Sequence, residues 1–387
     1  MIFIKELIML EITSHRHGEI LNHKHGKETA QALTIPLRGL ASPQSQVSVN
    51  GIPAQRNDRE FFLEVPLTEK INTVTVRAKD KFGERTLSIV LVWDKASFKR
   101  YTVRIDDNCF FFTDLVRQAP EKLFDHFYLK KLKEFHQKYG SKFILKCFYR
   151  NDHDQDKMTL SQVPDRYKGE FEDNADWLHL AFHALGEFPD RPYQHCTEKQ
   201  LASDYDLTLQ ELRRIAGEKS CTPPTNVHWA MLGPENFHVL QERGLKILTS
   251  SGFMSNRIIV EGAVQELPNT SCDIGFFYEQ DVAHHMLKKR CFYDADYGLF
   301  LSRTFFCFNI DTPAQIEEKI RKEDAASQAS GCEMMECVGH EQYAYPAYFN
   351  YLPDYFERLE TSCRIPAELG YKPVFFQDGI FGNTAWG

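Results

Sequence analysis

The spacing of apolar residues changes near Trp93, from a period-two stretch to strands alternating with helices, and that change most constrains the fold. Over residues 33–93 apolar side chains alternate with polar ones. Val47 and Val49 precede Asn50-Gly51, a hairpin dipeptide; Phe61, Leu63 and Val65 follow, then Val74, Val76 and Ala78, then Leu87, Ile89 and Leu91. Short strands with turn residues between them and no helix predict an all-β sandwich, assigned to residues 1–95.

From residue 96 to 387 strands alternate with amphipathic helices. Residues 101–105 read as a strand ending in two aspartates, and Phe124, Tyr128, Leu132, Phe135 and Tyr139 then keep helical spacing up to Gly140. A strand is expected at 142–148, and a helix at 197–216 stopped by Gly217. A strand end is expected at 227–229, and Pro234 opens a helix that closes at Gly244 before a strand at 245–249. Pro313 opens a helix carrying Ile316 and Ile320. Residues 354–369 read as helical despite Pro366, and 371–376 as the last strand. Repeated alternation of this kind predicts an α/β domain with a parallel sheet, closed or nearly closed into a (β/α) barrel.

Composition removes several functions. The 54 acidic residues outnumber the 46 basic ones and no basic stripe occurs, so no nucleic-acid partner is expected. No apolar run is long enough to predict a membrane span, and there is no glycine-rich phosphate loop. The apolar start at residues 1–10 is broken by Lys5 and Glu6 and leads to no small-residue cleavage site, so no secretory signal is expected. The ten cysteines are scattered; the tightest pair, Cys332 and Cys337, lacks the spacing of a zinc or redox motif. Reduced thiols and a cytoplasmic location are the expectation.

Four groups of residues could carry chemistry. Asp106 and Asp107 stand together at the end of the first barrel strand, and both can reach one site only where the backbone turns. A cation would explain the pair, one carboxylate binding it while the other takes a proton from the attacking water; a helix cap or solvated turn is the plainer alternative. In residues 177–187, His183 and Glu187 are four apart and share a face if the segment is helical, which suits two ligands; a core histidine and a surface charge would look the same. His228-Trp229 offers a further ligand and an apolar face. Gly339-His340-Glu341, followed by Tyr343, Tyr345, Tyr348, Phe349 and Tyr351, offers a general acid over packed aromatics. Trp229, Arg191 and Tyr343 are the candidate substrate contacts. His15, His17, His23 and His25 read as solvated strand-edge residues.

Taken in order, these residues resemble the polysaccharide deacetylases of NodB-like fold. Ile105-Asp106-Asp107 is similar to their Thr-Phe-Asp-Asp-Gly motif, which implies that Asp106 is the catalytic base and Asp107 a metal ligand. His183-Ala-Leu-Gly-Glu187 resembles their His-Ser/Thr-x-x-His motif, with Glu187 replacing the second histidine or His228 filling its place. Val338-Gly339-His340 resembles the late Leu-x-His motif that carries the catalytic acid. Val49-Asn50-Gly51 with residues 67–78 is similar to bacterial immunoglobulin-like modules, and residues 340–378 resemble a divergent branch of the superfamily that carries such a module at its amino terminus. Asn108 stands where the family has glycine. No counterpart of its arginine and Asp-x-x-Asp-Trp motifs appears, residues 249–253 lying where an acidic strand end belongs.

The resemblance implies a metal-dependent hydrolase acting on acetylated carbohydrate, its divalent metal (zinc by expectation) held by Asp107, His183 and either His228 or Glu187. Asp106 would be the base, and His340, oriented by Glu341, the acid. Two alternatives stay open: a metal-free glycosidase pairing Asp106 with Glu187 or Glu341, and a carbohydrate-binding protein without catalysis.

Overall fold

Along Leu33–Ala41 the residues Leu33, Ile35, Leu37 and Ala41 are buried while Pro36 and Arg38 are exposed, the period-two burial of a strand with one face on a core. The computed structural model describes residues 9–250, 257–260, 263–266, 280–304 and 306–387. Contacts divide the chain into one unit of Met1–Ser97, Cys291–Gly298 and Ala385–Gly387, and another of Phe98–Arg290 and Leu299–Thr384. A division at 95/96 differs in giving the two later segments to the second domain.

The first unit holds two five-stranded sheets. One runs Leu10–Ile12, Leu33–Ala41, Glu60–Leu67, Gln55–Asn57, with Lys27–Glu28 also on Leu33–Ala41; the other runs Glu19–Leu21, Gly83–Trp93, Ile71–Asp80, Gln46–Val49, Ile52–Pro53. Ile35, Leu37, Phe61 and Val65 of the first sheet meet Val49, Val74, Val76 and Leu91 of the second in one apolar cluster that includes Trp93. Asn50 and Gly51 both have positive φ (48° and 82°), as a tight hairpin turn between Gln46–Val49 and Ile52–Pro53 demands. Of the four early histidines, His17 and His23 are exposed, His17 Nδ1 accepting from Val90 N at 3.4 Å; His15 Nδ1 lies 3.1 Å from Glu19 Oε2 and the His25 ring bonds Asn22, so the histidines are not simply solvated.

The second unit is mixed α/β and contains a parallel sheet. Arg100–Asn108 is its centre, flanked by Phe143–Phe148 and Met334–His340, with Leu178–Ala184 beyond Phe143–Phe148. Ile247–Ser250 pairs in parallel with Leu299–Arg303. Backbone bonds extend this order: Leu180 N donates to Ser220 O and Thr222 N to Leu180 O, Thr249 N donates to Thr225 O, and Phe308 N donates to Val338 O. Tyr101, Val103 and Ile105 face the helical residues Leu129, Leu132, Leu359 and Cys363 in one core, so the other face of that strand is left to Thr102, Arg104 and Asp106, all buried and polar.

Several expected elements differ. Residues 177–187 are not a helix: Leu178–Ala184 is a strand, nearly all of it buried, and covering both faces of a parallel strand removes the alternation that would have distinguished it from a helix. Residues 227–229 do not end a strand but enter the single turn His228–Ala230, in which Trp229 has φ 62°. The helix from Pro234 shrinks to a turn and Phe237–Gln241, and the last strand to Lys372–Pro373. The helices Glu198–Ala216 and Pro313–Ser330 begin where their caps place them, Thr197 accepting from Gln200 N and Thr312 from Gln315 N. Residues 251–253 lie outside the described residues. No helix among the described residues is long and apolar enough to cross a membrane, and the nine described cysteines are free thiols.

Candidate metal centre

The strand Arg100–Asn108 shifts register against its neighbour between Ile105 and Asn108, and Asp107 there has φ 62°. Positive φ is tolerated better by aspartate than by most residues, and here it turns two successive carboxylates toward one place. Asp106 Oδ2 receives Arg104 Nη1 at 2.8 Å and Asn226 Nδ2 at 3.2 Å, while its Oδ1 is buried without a partner. Burial works against its charge, but Arg104, His183 and His340 outweigh this and hold the carboxyl below its ordinary value.

Asp107 Oδ1 lies 3.0 Å from His183 Nε2 and 3.3 Å from His228 Nδ1, and the two ring nitrogens are 3.3 Å apart. These three buried groups are the candidate metal cluster among the described residues. Their separations match the edges, about 3.3 Å, of a tetrahedron drawn around an ion with ligands at about 2.0–2.1 Å. The surroundings set the protonation a cation needs. His228 Nε2 donates to the Glu187 carbonyl at 3.1 Å, which leaves the lone pair of a neutral ring on Nδ1. Burial lowers the pKa of His183 and favours its neutral form. Gln342 Nε2 donates to Asp107 Oδ2 at 3.0 Å and so turns Oδ1 to the imidazoles. One carboxylate and two imidazoles with a free side on a cavity fit a divalent cation.

Of the other expected site residues, His340 joins this group. Its Nδ1 meets Asn309 Oδ1 at 2.9 Å, leaving Nε2 4.0 Å from Asp107 Oδ2. Burial opposes its charge, but Cys307, Asp107 and Asp106 raise its pKa to about 10, so the ring holds a proton. Glu187 lies outside that cluster: its side chain pairs with His153. Nor does Glu341 orient His340. Its carboxylate accepts from the backbone N–H of Cys109, Phe110 and Phe111 and from the Tyr345 hydroxyl, because the helix Phe110–Arg117 has no side-chain cap of its own. Trp229, Arg191 and Tyr343 line the same cavity of about 480 Å³ as Asp106, Asp107, His183 and His228.

Four residues escaped the sequence reading: Arg104, Asn226, Gln342 and Asn309. Arg104 stands two positions from Asp106 on the strand Arg100–Asn108, a spacing that puts both on one face, whereas Asn226 and Gln342, two positions from His228 and His340, lie outside strands. Asn309 carries no such signal.

Beneath the site Arg104 Nε also meets Glu336 Oε1 at 3.1 Å, and Lys146, wholly buried, has no hydrogen-bond partner for its ammonium among the described residues. Burial, aided by Arg104, pushes Lys146 down to about 7. A folded-state pKa below the unfolded value of about 10.4 means that charging the amine opposes folding. The penalty is complete below about pH 7 and fades as pH rises towards the unfolded value. Lys146→Met is therefore expected to stabilise the protein, by about 1–4 kcal/mol at pH 6 and by much less at pH 10, in denaturant unfolding at the two pH values. An equal change at both would refute the buried-charge account.

No family model matches the chain, and no curated protein does. Among solved structures, a β-glucuronidase of Bacteroides uniformis aligns with 26% of this chain and 12% of its own at 13% identity and TM-score 0.18. A proposed alpha-galactosidase of Bacteroides fragilis NCTC 9343 aligns with 96% of this chain and 79% of its own at 12% identity and TM-score 0.30.

Proposed function

We propose that the chain is a metal-dependent hydrolase that removes acetyl groups from carbohydrate, built on a (β/α) barrel of deacetylase type preceded by an immunoglobulin-like module. The convergence of Asp107, His183 and His228 beside a second, separately held carboxylate carries this reading. The backbone bonds from Leu180 to residues 220–222, from Thr225 to Thr249 and from Val338 to Phe308 support the barrel.

Asp107, His183 and His228 would hold the ion, with zinc the best match to a carboxylate and two imidazoles. When bound, a divalent cation supplies Lewis acidity to the acyl carbonyl and makes water easier to deprotonate. Asp106, pinned at Oδ2 by Arg104 and Asn226, keeps Oδ1 free to take the proton of the attacking water. His340, fixed at Nδ1 by Asn309, presents Nε2 and gives its proton to the departing sugar oxygen or nitrogen.

A metal-free glycosidase is the second reading, and it rests on Asp106 and Glu187 both lining the cavity. Elemental analysis of protein purified without added metal, with acetate release from acetylated glycan measured before and after chelation, separates the two. About one equivalent of zinc and chelator-sensitive release are expected. A metal-free protein that cleaves glycosidic bonds would overturn the proposal.

A further inference from the structure

We infer that the substrate carries an anionic group beside its acyl group, read by Arg191 stacked on Trp229; this rests on the carbohydrate reading above and names the class within it. The Arg191 guanidinium lies over the Trp229 ring, 5.0 Å from its centroid, and both residues line the cavity that holds Asp107, His183 and His228. Each has positive φ, 51° and 62°, a conformation that costs energy in an arginine or a tryptophan and persists where the surroundings impose it. Trp229 directly follows the ligand His228, so the stacked pair sits at a fixed position relative to the centre.

The charge of Arg191 is not spent among the described residues. Among the described residues no carboxylate pairs with it, and its Nε is buried without a hydrogen-bond partner. The other guanidinium of the cavity, Arg104, is committed to Asp106 and Glu336. A desolvated donor left unmade is costly, so an acceptor brought by the ligand regains what the empty cavity lacks. Packing over the tryptophan ring restrains the guanidinium, whose fork of N–H donors matches a planar two-oxygen acceptor, which a carboxylate supplies and a hydroxyl does not.

The negative groups of the same wall do not cancel this. Asp106 and Asp107 face Arg104 and the imidazoles, Glu187 is paired with His153, and Asp190, though adjacent, is exposed to screening solvent. A uronic acid is the simplest sugar that puts a carboxylate near an acetylated hydroxyl.

The test compares oligosaccharides of acetylated polygalacturonate with acetylated xylo-oligosaccharides of equal length, by calorimetric binding to the metal-loaded protein and, separately, by acetate release. Acidic oligomers are expected to bind at least about 10-fold more tightly at low salt, with the preference lost on adding salt and in Arg191→Gln, and partly kept in Arg191→Lys. Metal content and unfolding midpoint of the variants, unchanged, show that the centre and fold are intact. Equal binding of the two glycans, binding of neither, or an Arg191→Gln that keeps the preference overturns the inference. An Arg191-dependent preference without acetate release upholds it while refuting the deacetylase reading.

Discussion

Asp107→Asn and Asp107→Ala are expected to lose the metal, whereas Asp106→Asn keeps it and loses turnover. Asp107 supplies the one anionic donor of the cluster, and two imidazoles alone bind a cation at least about 100-fold more weakly. Asparagine is the cleaner change, because position 107 has φ 62° and alanine there adds backbone strain of about 1–2 kcal/mol to the loss of the ligand. Asp106 belongs to a different set of contacts: Arg104 and Asn226 hold it, and an amide in its place still accepts from both. The base is gone, however, and acetate release should fall by about 100- to 10,000-fold with the metal in place. Elemental analysis beside an acetate assay reads both variants together. Equal metal in wild type and Asp107→Asn would sink the assignment.

The sequence made the two textures of the chain legible because each obeys a simple period: Leu33, Ile35 and Leu37 alternate, and Leu201, Tyr205, Leu212 and Ile215 follow a helix. It left residues 177–187 open between helix and strand. Leu178–Ala184 is buried along nearly its whole length, so the polar alternation that marks a strand is absent and the four-residue spacing of His183 and Glu187 looked helical. Glu187 falls in the loop beyond the strand. It still serves the centre, through its backbone carbonyl on His228 rather than its carboxylate. Backbone acceptors leave no mark in a sequence. Asn309 was hidden by distance along the chain, its side-chain Oδ1 lying thirty-one positions from the histidine it orients. Arg104 could have been read, since two positions along a strand bring it to the face of Asp106, whose Oδ2 it holds.

Glu341 shows most sharply how adjacency in sequence misassigns a role, and Glu341→Ala is expected to lower stability by about 3–5 kcal/mol. Its side chain is fully buried; Oε2 accepts from Cys109 N at 2.6 Å and Phe110 N at 2.9 Å, and Oε1 from Phe111 N at 2.7 Å and the Tyr345 hydroxyl at 3.2 Å. These amides are the free donors at the start of Phe110–Arg117, where the helix dipole also favours a negative charge. Alanine would leave three N–H groups buried and unpaired, each costing about 1–3 kcal/mol before the chain relaxes. Glu341→Gln keeps one carbonyl oxygen but sets an amide N–H against a backbone N–H, and should lose about 1–3 kcal/mol. Denaturant unfolding measures both. Below its unfolding midpoint the glutamine variant should keep acetate release within about 10-fold of wild type, because the carboxylate acts on the helix that follows Asp106 and Asp107 and not on substrate. A loss of about 1,000-fold in Glu341→Gln with unchanged stability would instead make Glu341 a catalytic group, and the helix-capping account would fall.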